Sequence, residues 1–298
     1  MVRAPRQNSI IQREPRFAHL LQDIWRIVFF IFFLGADLSI VFILPKIQPL
    51  WLDSLGRAFS LLVGHVILMF LVRELVPNPP EGSVRVGKDK TYLKWLIARS
   101  FRDVANCRLF YGPYQLLHGT RYLYLRALGA KLAYDATIDP SVVISAPSLF
   151  AVDTGAQLEA GVKVENAVHA MGRVRISPVT VSEGALVGAH VTLMPGATLG
   201  PNVRIGPGAY IGPDTCVGVG VKIGEGAILA AGVDLGSYVR IGAGCVIAEG
   251  VSIGENAKIR AGSVIPPSTR IRGGEVWQGL PARAVFRDPR HQESSVEE

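Results

Sequence analysis

VTVSEG ALVGAH VTLMPG ATLGPN, residues Val179 to Asn202, opens a run of hexads that continues without insertion to TRIRGG at Gly274. About sixteen hexads share one register, and a six-residue period sustained this far is the mark of a β-helix. The third position is always aliphatic, from Val181 and Val187 through to Ile265 and Ile271. The first is mostly small: Ala, Val, Ser, Thr or Cys. Positions one and three are two residues apart, so on a short strand both point to the same face. A small and a branched side chain together fill a narrow interior. Gly, Asn and Asp crowd positions four and six, where the chain must turn and φ can become positive. Three strands and three corners close a triangular coil of about 18 residues, and coils stack at roughly 4.8 Å. The uninterrupted block supplies a little over five coils.

Working outward, weaker repeats precede the block. Ile138, Ile144, Leu158 and Val164 hold compatible spacings in ATIDPSVVISAPSLFAVDTGAQLEAGVKVE. The register then breaks at Asn166 to Pro178, NAVHAMGRVRISP. A regular solenoid interrupted once draws attention to the interruption, because loops on rigid scaffolds often carry function. This one holds His169. His190 ends a hexad where Gly or Asn is usual, and reads as a corner residue. Cys245 takes a small inward position. With Cys107 and Cys216 it makes no CxxC pair and no even disulfide set, which points to a reducing compartment.

The 298-residue chain is 49% hydrophobic and 18% charged, with a net charge of +7. Its hydrophobicity is concentrated near the N-terminus. Ile27 to Leu44 is almost unbroken, with Asp37 as its one charge, and Ala58 to Val76 forms a second apolar run containing His65. The lengths are at the short end of bilayer-spanning helices. About two dozen residues precede the first run and no small-residue cleavage site follows it, against a signal peptide. A soluble helix pair is the alternative, but apolar residues all round the first segment favour lipid. Asp37 should face His65, another helix or a polar cavity. Arginines before the first run, and Arg and Lys after the second, put both tails in the cytoplasm by the positive-inside tendency. Pro77 to Pro80 reads as a helix stop. From Thr91 to Leu128 a helical pattern mixes aromatic and basic residues, fit either for the headgroup layer or for packing on the next domain. Basic residues beside apolar spans speak against a nucleic-acid partner.

The hexads resemble those of the hexapeptide-repeat acyltransferases. That resemblance implies a left-handed parallel β-helix, an exception to the usual crossover rule, and an enzyme that is commonly a homotrimer. SPVTVSEGALVGAHVTLMPGATLG is similar to the coil that follows the catalytic histidine loop in sugar O-acetyltransferases of the superfamily, which gives His169 the role of general base. Transfer from a thioester requires such a base near neutral pKa. Glu165 and Asp153 are the candidate groups to orient its ring. EVWQGLPARAVFR resembles the Gly-x-Pro-Ala-(Lys/Arg) ending that lines the CoA site in acetyl-CoA-dependent members. It implies that Gly279, Pro281, Ala282 and Arg283 bind the cosubstrate, with Arg270 and Arg272 available to its phosphates. Superfamily carbonic anhydrases use three histidines, and in the repeat half only His169 and His190 precede the tail's His291, so no metal is expected.

A narrower resemblance covers roughly Glu81 to Arg283. HGTRYLYLRALGAKLAYDATID is similar to the entry to the β-helix in the membrane-embedded C-terminal region of poly-lysine-type nonribosomal peptide synthetases, and EGSVRVGKDKTYLKWLI to the segment upstream. There too transmembrane segments precede a hexapeptide domain. Departures are Ser148 to Asp153, SLFAVD, where Asp-Leu-Val-x-Ile-Gly-Asp is usual, and Ala170-Met171-Gly172 in place of acidic residues after the histidine.

The expected fold is mainly β, a left-handed parallel β-helix of hexapeptide repeats preceded by an α-helical membrane hairpin and amphipathic helices. Its parts are a basic tail at 1–22, two transmembrane helices at 23–76, linker and interfacial helices at 77–130, the β-helix at 131–286 and a disordered acidic tail at 287–298. The expected function is acyl transfer, of acetyl in the first instance, from acyl-CoA to a hydroxyl or amine at the cytoplasmic membrane face. Membrane lipids are expected partners. An amide-forming subunit fed by a carrier protein or synthetase, and a non-catalytic membrane scaffold, are the alternatives.

Overall fold

The computed structural model describes residues 16–43, 50–79, 81–86, 90–115, 118–170 and 172–286. Both expected tails therefore lie wholly or largely outside the described residues; of the N-terminal one, only 16–22 are seen, and they are helical. The chain forms two compact units: Met1–Phe110 with Ala167–Ile176, and Tyr111–Asn166 with Ser177–Glu298.

The second unit is a parallel β-solenoid of about eight coils, with walls of eight, nine and seven strands. Most strands are two residues long and end on the third hexad position, as in Arg204–Ile205 and Lys222–Ile223. Ile205, Ile223, Ile241 and Ile259 stack in register, 18 residues apart. Positions one and three are buried, position two faces out, and the interior is one continuous apolar column. Each fully buried aliphatic side chain contributes roughly 1.5–3 kcal/mol of transfer free energy. The weak repeats join the same walls: Ile138 pairs with Leu158, and Ile144 with Val164.

Every sixth position from Gly184 to Gly274 has positive φ. Glycine fills most of these corners. His190, Asn202, Asp214, Tyr238, Asn256 and Ser268 hold the others at φ between 52° and 59°. Most of these side chains lie over a glycine of the coil before. A Cβ on Gly220 would sit 2.7 Å from the Tyr238 ring, and one on Gly161 would sit 2.4 Å from Nδ1 of His190. His190 is thus a corner residue, as its place in the hexad indicates.

Two elements close the ends of the apolar column. The helix His118–Ala127 buries Leu125 in the solenoid core, and its Arg121 donates to Tyr111 Oη and to the Ile138 carbonyl. At the far end an antiparallel hairpin, Val276–Gly279 with Ala282–Phe286, covers the core with Trp277 and Ala282.

The first unit contains helices α1 (Arg16–Ile43), α2 (Leu50–Leu75) and α3 (Lys90–Ala105). On α1 a stripe of Gln22, Phe29, Phe33 and Asp37 is buried, at the seven- and four-residue spacings of one helical face. Ser100 of α3 donates to the Gln22 carbonyl, and Gln22 and Arg26 both donate to Asp103. Asp37 meets His65 as the burial of a carboxylate requires: His65 Nδ1 lies 2.9 and 3.0 Å from the two carboxylate oxygens. The imidazole stacks on Phe110 at 5.3 Å and meets Phe33 edge-on. Asp37→Leu is expected to destabilise this helix packing by about 1–3 kcal/mol, and Asp37→Asn by less, because the amide keeps one hydrogen bond. Thermal unfolding in detergent measures the difference.

Among the described residues one helix segment, Gly56–Leu75, is long and apolar enough to cross a membrane by length and composition.

The stretch expected to be linker holds a strand, Gly82–Arg85. Four residues with one apolar side chain have too little alternation to reveal a strand without its partner. That partner is the interruption of the hexads, which is an antiparallel hairpin and not the irregular loop the broken register suggests. Ala167–Ala170 pairs with Arg173–Ile176, and Arg173–Ile176 pairs with Gly82–Arg85. Coil partners across this insertion, such as Leu158 and Val187, are 29 residues apart in place of 18.

Candidate active site

His169 lies on the first strand of that hairpin, directly opposite Val174, which in turn faces Val84. Cross-strand neighbours share a face. Val84 and Val174 are buried on it, while Arg85, Arg173 and Arg175 alternate onto the exposed face. His169 itself is exposed, but its ring meets the buried indole of Trp95 edge-on, at 5.5 Å and 68° between planes. Tyr92 stacks on the same indole at 5.6 Å, and the Arg99 guanidinium lies over it at 5.1 Å. An imidazole braced on one edge and open to solvent is suited to exchange a proton with a molecule arriving from outside.

The base of the insertion is fixed within the solenoid unit. Asn166 is 1% exposed. Its Nδ2 donates to the Leu149 carbonyl at 2.9 Å, its Oδ1 accepts from the Ala146 amide at 3.2 Å, and its own carbonyl accepts from Ser177 N–H at 3.1 Å. Glu165 is half-buried and accepts the Ser145 hydroxyl at 2.6 Å. Asp153 is exposed, just after the strand Phe150–Val152.

The residues expected to meet CoA divide into two groups. Gly279, Pro281, Ala282 and Arg283 come together in the terminal hairpin, where Gly279 pairs with Ala282 and Gln278 with Arg283. Gly279 has φ 114°, open to glycine, and its N–H reaches Ser263 Oγ at 3.3 Å. Arg270 is exposed on the strand Arg270–Ile271, in a different wall of the solenoid. Arg272, also exposed, follows that strand. No group of three His, Cys, Asp or Glu capable of holding a metal occurs among the described residues.

Two repeat models match the solenoid. The bacterial transferase hexapeptide model covers residues 178–213 and 232–267, and the hexapeptide repeat of succinyl-transferase covers 203–237. Residues 178–267 are thus similar to the hexapeptide repeats of bacterial transferases. Part of the chain is also similar to delta-poly-L-ornithine synthetase of Acinetobacter baumannii (strain AB307-0294), at 32% identity over 102 residues. The match spans 34% of this chain and 7% of that protein. Among solved structures, a UDP-N-acetylglucosamine acyltransferase from Bacteroides fragilis 9343 matches with a TM-score of 0.42 at 16% identity, over 52% of this chain and 60% of that one. The acetyltransferase domain of PglB from Neisseria gonorrhoeae FA1090, in complex with acetyl coenzyme A, matches with a TM-score of 0.32 at 22% identity, over 56% and 65%. The chain thus covers less than two thirds of each of these proteins.

Within the repeat domain, two features had no legible signal. Asn166 is a buried polar anchor, and nothing in its sequence neighbourhood distinguishes it from a surface turn residue. Glu275, 5% exposed, accepts Trp277 Nε1–H and tightens the entry to the terminal hairpin. Trp95, which braces His169, was legible only as one aromatic among basic residues.

Proposed function

We propose that this chain is a membrane-anchored acyltransferase that moves an acyl group, acetyl in the simplest case, from acyl-CoA to a hydroxyl or amine acceptor, with His169 as general base. The observation that carries this reading is the insertion itself. The hairpin at Ala167–Ile176 breaks the hexad register just before the transferase-type repeats, and it brings forward a solvent-facing imidazole seated on Trp95. In the proposed reaction His169 takes the proton from the acceptor O–H or N–H as the acceptor attacks the thioester carbonyl. The tetrahedral oxyanion collapses, the C–S bond breaks, and the imidazolium returns its proton to the departing thiolate. Backbone N–H groups at coil edges are the proposed oxyanion donors. Glu165 and Asp153 stand as the proposed orienting carboxylates, and Gly279, Pro281, Ala282, Arg283 and Arg270 as the proposed CoA contacts. Left-handed winding and a homotrimer are carried over from the family.

Membrane anchoring is supported by the exposed side of the helices. Ile27, Ile31 and Phe32 of α1, and Phe59, Ile67 and Leu71 of α2, are all at least half exposed. Contiguous apolar surface of this kind calls for a nonaqueous partner. The positive-inside charge pattern then places the transferase domain on the cytoplasmic face.

A second reading is favoured by the likeness to the poly-ornithine synthetase: an amide-forming step fed by an aminoacyl thioester on a carrier protein. The two separate in one assay. Full-length protein is given radiolabelled acetyl-CoA, with membranes of the producing cell as acceptor pool, and in parallel a holo-carrier protein charged with lysine or ornithine. Label transferred from acetyl-CoA supports the first reading. Turnover of the carrier thioester alone establishes the second, and consumption of neither leaves a scaffold.

A further inference from the structure

Helix α3 carries Tyr92, Trp95, Arg99 and Arg102 at i, i+3, i+7 and i+10, one stripe of a 3.6-residue helix. Near its first turn the stripe meets His169, whose ring lies edge-on to Trp95. Arg99 lies over the same indole. Arg102 follows about 10 Å beyond Trp95, seven residues at a rise of 1.5 Å.

Arg102 is only 9% exposed, and its Nε and Nη1 meet no hydrogen-bond acceptor among the described residues. Its neighbour Asp103 is held by Arg26 and Gln22 of α1. Burial pushes the Arg102 guanidinium down to about 10; Asp103 opposes this, and the nearby charge of Arg99 adds to it. A buried cation beside a second cation, without a carboxylate of its own among the described residues, is unfavourable. Replacing it with an apolar side chain of similar size would relieve that cost, so its presence points to an anion that arrives from outside.

We propose that Arg99 and Arg102 bind a phosphate group of the acceptor substrate and so set the acceptor's nucleophile near His169. Two guanidinium groups match the two negative charges of a phosphate monoester, and the planar fork suits its oxygens. The acceptor role rests on the reading of His169 as base; the binding of phosphate does not. The phosphate can belong to a soluble phosphorylated molecule or to a lipid headgroup.

The test uses the full chain in phosphatidylcholine nanodiscs, titrated with inorganic phosphate and followed by tryptophan emission and by thermal unfolding. A saturable response is expected, weakened at least tenfold in Arg99→Gln and Arg102→Gln, and intermediate in Arg102→Lys. The emission change should vanish in Trp95→Phe, while the rise in Tm persists there. Arg102→Met controls for folding. It should unfold no earlier than wild type without phosphate, and should lose the phosphate-dependent rise in Tm. A second arm replaces part of the phosphatidylcholine with phosphatidic acid. Saturation without added phosphate in that arm assigns the group to a lipid, and its absence assigns it to a soluble acceptor. His169→Ala should bind phosphate like wild type. If that variant also keeps transferase activity, the base assignment falls and the anion site stands. Equal phosphate affinity in wild type and both glutamine variants, or no response of wild type to either phosphate source, would overturn the proposal.

Discussion

Gly212→Val is expected to destabilise the solenoid by about 3 kcal/mol or more, at the upper end of overpacking effects. Gly212 occupies the fourth hexad position, and a Cβ there would sit 2.5 Å from the carbonyl carbon and oxygen of Ala230 in the following coil. Those are backbone atoms, and the coils are pinned together by hydrogen bonds such as Gly212 N–H to Leu229 O at 2.8 Å. The side chain cannot be accommodated by a rotamer change, so two coils must part. Gly226→Ala is the comparison. It has φ +60° but nothing within 4 Å of its Cβ, so it should cost only the left-handed backbone penalty of about 1–2 kcal/mol. Because neighbouring coils supply most of one another's stability, the Gly212 variant should also expose adjacent amides to hydrogen exchange. Equal urea midpoints for the two variants would contradict the stacking account.

The largest functional effect is expected at His169. Replacing it with Ala should lower acyl transfer by two to four orders of magnitude, the range for loss of a positioned general base. The side chain is exposed and contributes little buried area, so the folded state should survive. Circular dichroism and an unchanged Tm would confirm that activity and stability have been separated. Trp95→Phe should have a smaller effect on turnover, since a phenyl ring preserves an edge contact on a shorter frame. Of the proposed orienting carboxylates, amide replacement at the one that holds the ring should lower turnover by about 10- to 100-fold.

The hexads made the solenoid legible because their rule is local. An aliphatic residue at position three and a corner former at position six repeat until chance is excluded, and the strands at Arg204–Ile205 and its equivalents fall where the rule puts them. The pairing of Asp37 with His65 was legible for a different reason: a carboxylate in an apolar run must find a partner, and few were on offer. The hairpin was legible only as a break. Its third strand, Gly82–Arg85, comes from 88 residues earlier than its pairing partner Arg173, and no local pattern announces so distant a pairing. The same limit hid Asn166, which is identified by the carbonyl and amide it satisfies, and Arg102, whose burial no local signal marks among the basic residues of an amphipathic pattern. His190 shows the reverse case. As a histidine in a transferase domain it invites a catalytic role, yet its corner position and its place over Gly161 account for it.

Chemical rescue tests the claim about His169 most directly. Full-length His169→Gly protein is assayed for label transfer from acetyl-CoA to membrane acceptors over a range of imidazole concentrations, beside wild type. With a solvent-open ring removed, added imidazole should restore transfer saturably in the variant and leave wild type unchanged. Transfer by the variant at the wild-type rate without imidazole would show that this side chain handles no proton in the reaction.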